Sequence, residues 1–211
     1  MKMSPSRAIK GLYALTPDSL DTDDLLRRVR LALAGGVQVL QYRNKIADAA
    51  LRQAQARALR TLTLEFGVTF IVNDDAQLAV AVGADGVHLG ATDGDVKSAR
   101  AVLGHDKLLG VSCYNRLQLA REAVLAGADY VAFGAFYVST VKPEAVVATL
   151  DLLRNARSEL SVPIVAIGGI NAANGASLVE AGADALAVIS AVFDAADIKL
   201  AAQNLNKFFS K

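Results

Sequence analysis

GADGVHLG at residues 83–90, GADYVAFG at 127–134 and GADALAVIS at 182–190 are the stretches on which the fold of this 211-residue chain turns. Each joins a Gly-Ala-Asp turn to a short apolar run. Glycine suits the residue just past a helix end, and the run after it reads as a buried strand. The Asp side chain is short enough to bond local backbone in such a turn. Gly35-Gly36, ahead of VQVLQYR at 37–43, looks like a variant of the same unit. With starts at 35, 83, 127 and 182, the spacing is too long for one strand–helix unit and suits two.

Four further apolar runs bounded by turn residues lie between these, at 11–15, 68–72, 108–111 and 163–167. Segments after most runs carry helical apolar spacing, as in Leu25, Val29, Leu31 and Leu33, or Leu117, Ala120, Val124 and Leu125. Eight alternating units in a chain of this length predict an α/β fold, a TIM (β/α)8 barrel, as a single domain over 1–211 with a short N-terminal extension at 1–9. A doubly wound open sheet is the competing arrangement. The regular repeat argues against it, as does the lack of a Gly-rich dinucleotide turn after the first run.

Bulk properties narrow the function. Hydrophobic residues make up 53% of the chain, and the excess falls in short runs of Ala, Val and Leu that read as interior filling. No run is long enough for a membrane span, and the N-terminal stretch has no secretory pattern. The net charge of +1 gives no bulk case for nucleic acid or an anionic membrane. Any anion must be held by local groups. Cys113 is the only cysteine, which excludes intrachain disulfides and Cys-cluster metal sites. The expectation is a cytoplasmic protein acting on small molecules; a homo-oligomer is compatible with it.

In a barrel the chemistry sits at the C-terminal ends of the strands. Seven of the eight ends carry polar or glycine-rich residues: Gln41-Tyr42-Arg43-Asn44-Lys45; Asn73-Asp74-Asp75; His88 with Thr92-Asp93; Ser112; Ser139-Thr140-Val141-Lys142; Gly168-Gly169-Ile170-Asn171; and Ile189-Ser190. The strand starts carry mainly the Gly-Ala-Asp turns, which read as structural. The last two ends suggest a phosphate site, with Gly169 letting backbone approach an anion and Ser190 with neighbouring amides donating to it. A plain tight turn at Gly168-Gly169 is the alternative.

Asp74 and Asp93 come from adjacent strand ends and suit Mg²⁺, a hard cation that keeps substrate phosphate oxygens among its ligands. Either Asp alone is also a fair helix N-cap. Asp75 is the N-cap candidate for the third helix. Arg43, Lys45 and Lys142 converge from other ends, and both residue types suit phosphate. Cations and paired carboxylates at one mouth fit a metal-bound diphosphate better than a monoanion. His88 is expected at the core or the pocket floor, His105 in a structural turn, Cys113 as a buried small group and Tyr42 facing the helices. No Ser-His-Asp arrangement is evident.

Taken together, GLYALTPD at 11, QYRNK at 41, VNDD at 72, GVHLGATDGD at 86, GVS at 110, YVSTVK at 137, VAIGGI at 165 and VISA at 188 resemble the thiamine-phosphate synthase family. The resemblance implies a β/α barrel that condenses 4-amino-2-methyl-5-hydroxymethylpyrimidine diphosphate with a thiazole phosphate, giving thiamine phosphate and pyrophosphate. It also implies roles. Gln41, Arg43, Lys45, Asn73, Ser112 and Lys142 would meet the pyrimidine diphosphate or leaving pyrophosphate, with Arg43, Lys45, Ser112 and Lys142 catalytic. Asp74 and Asp93 would hold Mg²⁺. Ser139, Val141, Gly169, Ile189 and Ser190 would hold the thiazole phosphate. The family chemistry begins with loss of the diphosphate from a ring-stabilised cation, so it needs no protein nucleophile and little proton transfer, which agrees with the lack of either here.

The chain departs from the family pattern in one loop. Where the family usually has Pro-Thr-x-Thr-Lys, this chain has Val138-Ser139-Thr140-Val141-Lys142. Ser139 keeps a hydroxyl and Val141 does not, so weaker binding of the thiazole is expected. A thiazole tautomerase-like isomerase, a non-catalytic phosphate-ligand sensor and an unrelated phosphate-binding barrel isomerase are the rival readings. The first needs no diphosphate or Mg²⁺ site, the second does not explain the retained aspartates and cations, and the third would ordinarily show a Glu or Lys base at a strand end, for which Lys142 is the one candidate.

Overall fold

Eight short runs pair in chain order into a closed parallel barrel: β1 (Gly11–Leu15), β2 (Val39–Tyr42), β3 (Thr69–Asn73), β4 (Gly86–Leu89), β5 (Leu108–Tyr114), β6 (Tyr130–Phe133), β7 (Ile164–Ile167) and β8 (Ala185–Val188), with β8 closing on β1. The computed structural model describes residues 9–90, 95–137 and 147–209. The helices are α1 (Thr22–Ala34), α2 (Ala49–Phe66), α3 (Ala76–Ala81), α4 (Val96–Leu103), α5 (Leu117–Leu125), α6 (Leu150–Glu159), α7 (Gly175–Glu180), a short α8 (Ser190–Phe193) and α9 (Ile198–Asn206). The barrel expected from the repeat is the one observed. The fifth strand runs three residues further than expected, to Tyr114, with an irregular register between Ser112 and Tyr114.

Side chains alternate along each strand, so one set points outward and one inward. Leu12, Leu40, Phe70, Val87, Leu109, Phe133 and Leu186 face the helices. Tyr42 joins them, its hydroxyl donating to Gln55 of α2 at 2.9 Å, as expected. Tyr13, Val39, Ile71, Tyr130, Val165, Ala185 and Ala187 fill the interior. Ile9, expected in the N-terminal extension, is buried in this interior set and helps close the barrel; residues 1–8 of that extension lie outside the described residues.

The Gly-Ala-Asp turns are structural, and their aspartates reach beyond the turn to the neighbouring strand. Asp85 donates its amide to Phe70 O (2.8 Å) and accepts from Phe70 N (2.9 Å) and from Arg60 (2.8 Å). Asp129 repeats this on Leu109 with Arg100, and Asp184 on Ile164 with Arg157. In the Gly35-Gly36 variant Gln38 takes the Asp's place and accepts from Leu12 N at 2.6 Å. Each side chain thus satisfies the amide at the start of the preceding odd-numbered strand, which a local turn bond would have left unpaired. Four repeats of one device tie the strand starts together at the bottom of the barrel. Among the described residues no helix is long and apolar enough to cross a membrane.

Candidate active site

At the C-terminal ends of the strands the barrel opens into a cavity of about 330 Å³. Gln41, Arg43, Lys45, Asn73, Asp74, Ser112, Gly169, Ile189 and Ser190 all line it. Nine candidates picked along the chain therefore meet at one mouth, brought there by β2, β3, β5, β7 and β8. Asp93, Ser139, Val141 and Lys142 lie outside the described residues. An adjoining cleft of about 540 Å³ runs between the loops after β2 and β3; it shares Arg43, Lys45, Asn73 and Asp74 with the cavity and adds Arg52 and Gln77.

The cationic side of the mouth is held from β1. Asp18 accepts from Arg43 Nη1 (3.2 Å) and from Lys45 N (2.8 Å). Thr16 Oγ1 donates to Arg43 O and accepts from Arg43 N, at 2.8 and 2.9 Å, tying the ends of β1 and β2 together. The buried Asn44 fixes the rest of the loop through Ser19 O and Gln55. The end of the first strand is the one end with no expected chemistry. Its Thr16-Pro17-Asp18 sequence reads as an ordinary turn, and only the pairing of β1 with β2 shows what it holds.

Asp74 adopts φ +61°, in the left-handed region. That conformation costs a non-glycine residue about 1–3 kcal/mol and tends to mark functional sites. Its Oδ1 accepts from Gly90 N at 3.2 Å and its Oδ2 from Asn73 Nδ2, while its own amide bonds His88 O at 2.8 Å. Asp75, next in line, caps α3 through Leu78 N, as expected. Asp74 caps no helix among the described residues, and its carboxylate lines the cavity.

Opposite, Gly168 and Gly169 both take positive φ, +103° and +65°. A Cβ at Gly168 would come within 2.4 Å of Ala135 Cβ, so the glycine is also needed for packing. Asn174 clamps the loop by donating to Gly169 O (3.0 Å). Ser190 opens α8, the extra short helix that follows the last strand of a barrel and commonly takes part in phosphate sites.

The floor is polar and buried. Gln41 Nε2 donates to Tyr13 Oη (2.8 Å), which pairs with Tyr130 Oη (3.1 Å). His88 Nδ1 meets Tyr130 Oη at 3.1 Å and His88 Nε2 meets Ser112 Oγ at 2.9 Å. Burial lowers the His88 pKa from 6.5 to about 4, so the ring is neutral near pH 7. His88 is thus at the pocket floor, as expected. Tyr13 and Tyr130 were not foreseen as site residues, because tyrosines inside apolar runs read as core. Cys113 is buried, and burial pushes its thiol up to about 12, which suits an inert packing group.

A family model described as thiamine monophosphate synthase matches residues 12–192. The chain is 55% identical over 200 residues to a thiamine-phosphate synthase of Thiobacillus denitrificans, covering 95% of each chain. It is 50% identical over 208 residues to one of Nitrosospira multiformis, covering 99% of this chain and 89% of that one. Among solved structures, a thiamine phosphate pyrophosphorylase from Pyrococcus furiosus superposes with a TM-score of 0.87 at 35% identity, covering 97% of both.

Proposed function

The chain belongs to the thiamine monophosphate synthase family, and from that premise we propose how the rim of its barrel performs the activity. Its activity is that of the family, thiamine phosphate synthesis by a transferase reaction that releases pyrophosphate. The carrying observation is convergence: Gln41, Arg43, Lys45, Asn73, Asp74 and Ser112 line one cavity together with Gly169, Ile189 and Ser190.

In this proposal the pyrimidine ring of the first substrate lies on the buried floor between Gln41 and Ser112. Its diphosphate reaches toward Arg43, Lys45 and Asn73, and Lys142 joins them from the loop after β6. Asp18 keeps the Arg43 fork and the Lys45 backbone in place for this contact. The thiazole phosphate binds across the cavity, its phosphate against Gly169 and Ser190 and its ring beside Ile189, with Ser139 and Val141 completing that side.

Asp74 presents carboxylate oxygens steadied by Gly90 N–H and Asn73, a donor set that fits Mg²⁺; Asp93 is its proposed partner. When bound, Mg²⁺ neutralises charge on the departing diphosphate. The rest falls to side chains. The bond between the pyrimidine methylene carbon and the diphosphate oxygen breaks, and its electron pair leaves with pyrophosphate. Arg43, Lys45 and Lys142 offset the charge gathering on that group. The thiazole nitrogen then gives its lone pair to the methylene carbon. No proton moves, so neither a base nor a nucleophile is required. The contribution of the barrel is alignment of the two partners and exclusion of water. The substrates are taken from the cytoplasm.

Purified protein, both substrates and Mg²⁺ are expected to yield thiamine phosphate and pyrophosphate in equal amounts, and Asp93→Ala to lose that activity. An active Asp93→Ala enzyme would remove Asp93 from the proposed metal site, and absence of pyrophosphate from the wild-type reaction would remove the reading itself.

A further inference from the structure

Resting on the reading just given, we infer that Tyr13, Tyr130 and His88 are positioning residues that form one directional hydrogen-bond wire through the barrel, setting Gln41 as acceptor and Ser112 as donor toward the substrate ring. The wire runs Gln41–Tyr13–Tyr130–His88–Ser112, crossing from β2 to β1, β6, β4 and β5 with steps of 2.8, 3.1, 3.1 and 2.9 Å. Both of its ends open on the cavity. Gln41 is 2% exposed, and its Oε1 is buried with no hydrogen-bond partner among the described residues. Leaving a buried acceptor unpaired is costly, so a site that holds one is built for a donor brought by its ligand.

The direction follows from counting hydrogens. Each tyrosine hydroxyl has one, and a neutral imidazole has one N–H to place on either nitrogen. Gln41 meets Tyr13 with its NH₂, which only donates. Tyr13 must then pass its own hydrogen to Tyr130, and Tyr130 must pass its hydrogen to His88 Nδ1. The imidazole N–H therefore sits on Nε2 and donates to Ser112 Oγ. The Ser112 hydrogen is left for the substrate.

The only other fully satisfied arrangement reverses every bond. The Gln41 amide then turns its oxygen to Tyr13 and its NH₂ to the cavity, and Ser112 spends its hydrogen on His88. Any mixed arrangement either strands a hydroxyl hydrogen in the core or leaves two acceptor atoms facing each other with no hydrogen between them. The two ends of the wire are therefore linked: an acceptor at Gln41 goes with a donor at Ser112. That combination matches an aminopyrimidine, which offers amino hydrogens and ring-nitrogen lone pairs. It also favours the chemistry, because positive charge spreading onto the amino group strengthens its bond to a waiting oxygen.

The test reads the wire in the free enzyme. The chain has two histidines, and comparison with His105→Gln assigns the ¹⁵N imidazole signals of His88. Wild type is expected to show the Nε2–H tautomer. Gln41→Glu, examined from about pH 7 to 9.5 so that a buried carboxyl ionises, presents only acceptors to Tyr13; it is expected to switch His88 to the Nδ1–H tautomer. Tyr13→Phe cuts the wire and is expected to leave a mixture of tautomers. It should also lower kcat/KM for the pyrimidine diphosphate roughly tenfold with the thiazole KM unchanged. A His88 tautomer that is the same in wild type and both variants would overturn the inference. The tautomer reading needs no substrate, so it stands or falls separately from the proposed activity.

Discussion

Gly110→Ala isolates the packing on which the site floor depends. Tyr130 lies across Gly110: a Cβ there would sit 2.0 Å from Tyr130 Cζ and 2.4 Å from both Cε atoms. Normal carbon–carbon contact requires the ring to withdraw by about 1.5 Å. The ring has nowhere to go, because Tyr130 is fully buried and its hydroxyl is held at 3.1 Å by both Tyr13 and His88. Overpacking costs about 1–3 kcal/mol, and two lost hydrogen bonds add about 1 kcal/mol each, so the expected loss is about 3–5 kcal/mol. At this chain length 1 kcal/mol moves Tm by about 2–4 °C, which predicts a fall of about 6–20 °C in thermal unfolding. Tyr130→Leu vacates the space, so its cost and that of Gly110→Ala should be strongly non-additive in the double variant. A Gly110→Ala protein melting within about 2 °C of wild type, or strictly additive costs, would refute the close approach.

Arg43→Lys replaces a planar fork with a point charge and also loses the Asp18 contact; KM for the pyrimidine diphosphate should rise about tenfold while the thiazole KM holds, in steady-state kinetics with each substrate varied in turn. Val141→Thr introduces a hydroxyl at a position proposed to face the thiazole phosphate and should lower the thiazole-phosphate KM by about 2–12-fold, the equivalent of one hydrogen bond; unchanged KM and kcat would count against a role for this position. His88 gives a pH signature. Its folded pKa, about 4, lies below the ordinary 6.5. The unfolded chain therefore binds the extra proton first on acidification. Stability is full above pH 6.5 and falls as pH drops toward 4, by about 3 kcal/mol in all. Urea titrations at pH 7 and pH 4.5 should show that loss in wild type and a smaller one in His88→Gln.

Much of the site was legible because a barrel collects its chemistry at one end of its strands. Once Gly-Ala-Asp turns marked the starts of the strands, the polar residues after Gln41, Asn73 and Gly168 had to share the opposite rim. Asp18 escaped that logic, since its contribution is to hold Arg43 and Lys45 across a strand pair, not to mark a motif. Tyr13 and Tyr130 escaped it for a different reason. An aromatic in an apolar run looks like filling, and its hydroxyl matters only when another polar group is found beside it in the core. The aspartates of the turns were read correctly as structural. Their partners, backbone amides and arginines 15 to 29 residues away, depend on strand register.

By itself the sequence determined the barrel and the rim where its polar residues gather, because hydrophobic periodicity and turn residues act over short stretches of chain and repeat visibly, and its motifs pointed to the family. Only the tertiary structure decided which buried groups touch. The path from Gln41 through Tyr13, Tyr130 and His88 to Ser112 joins five strands, and hydrogen bonds between side chains on different strands are set by how a sheet closes on itself, which no local pattern records.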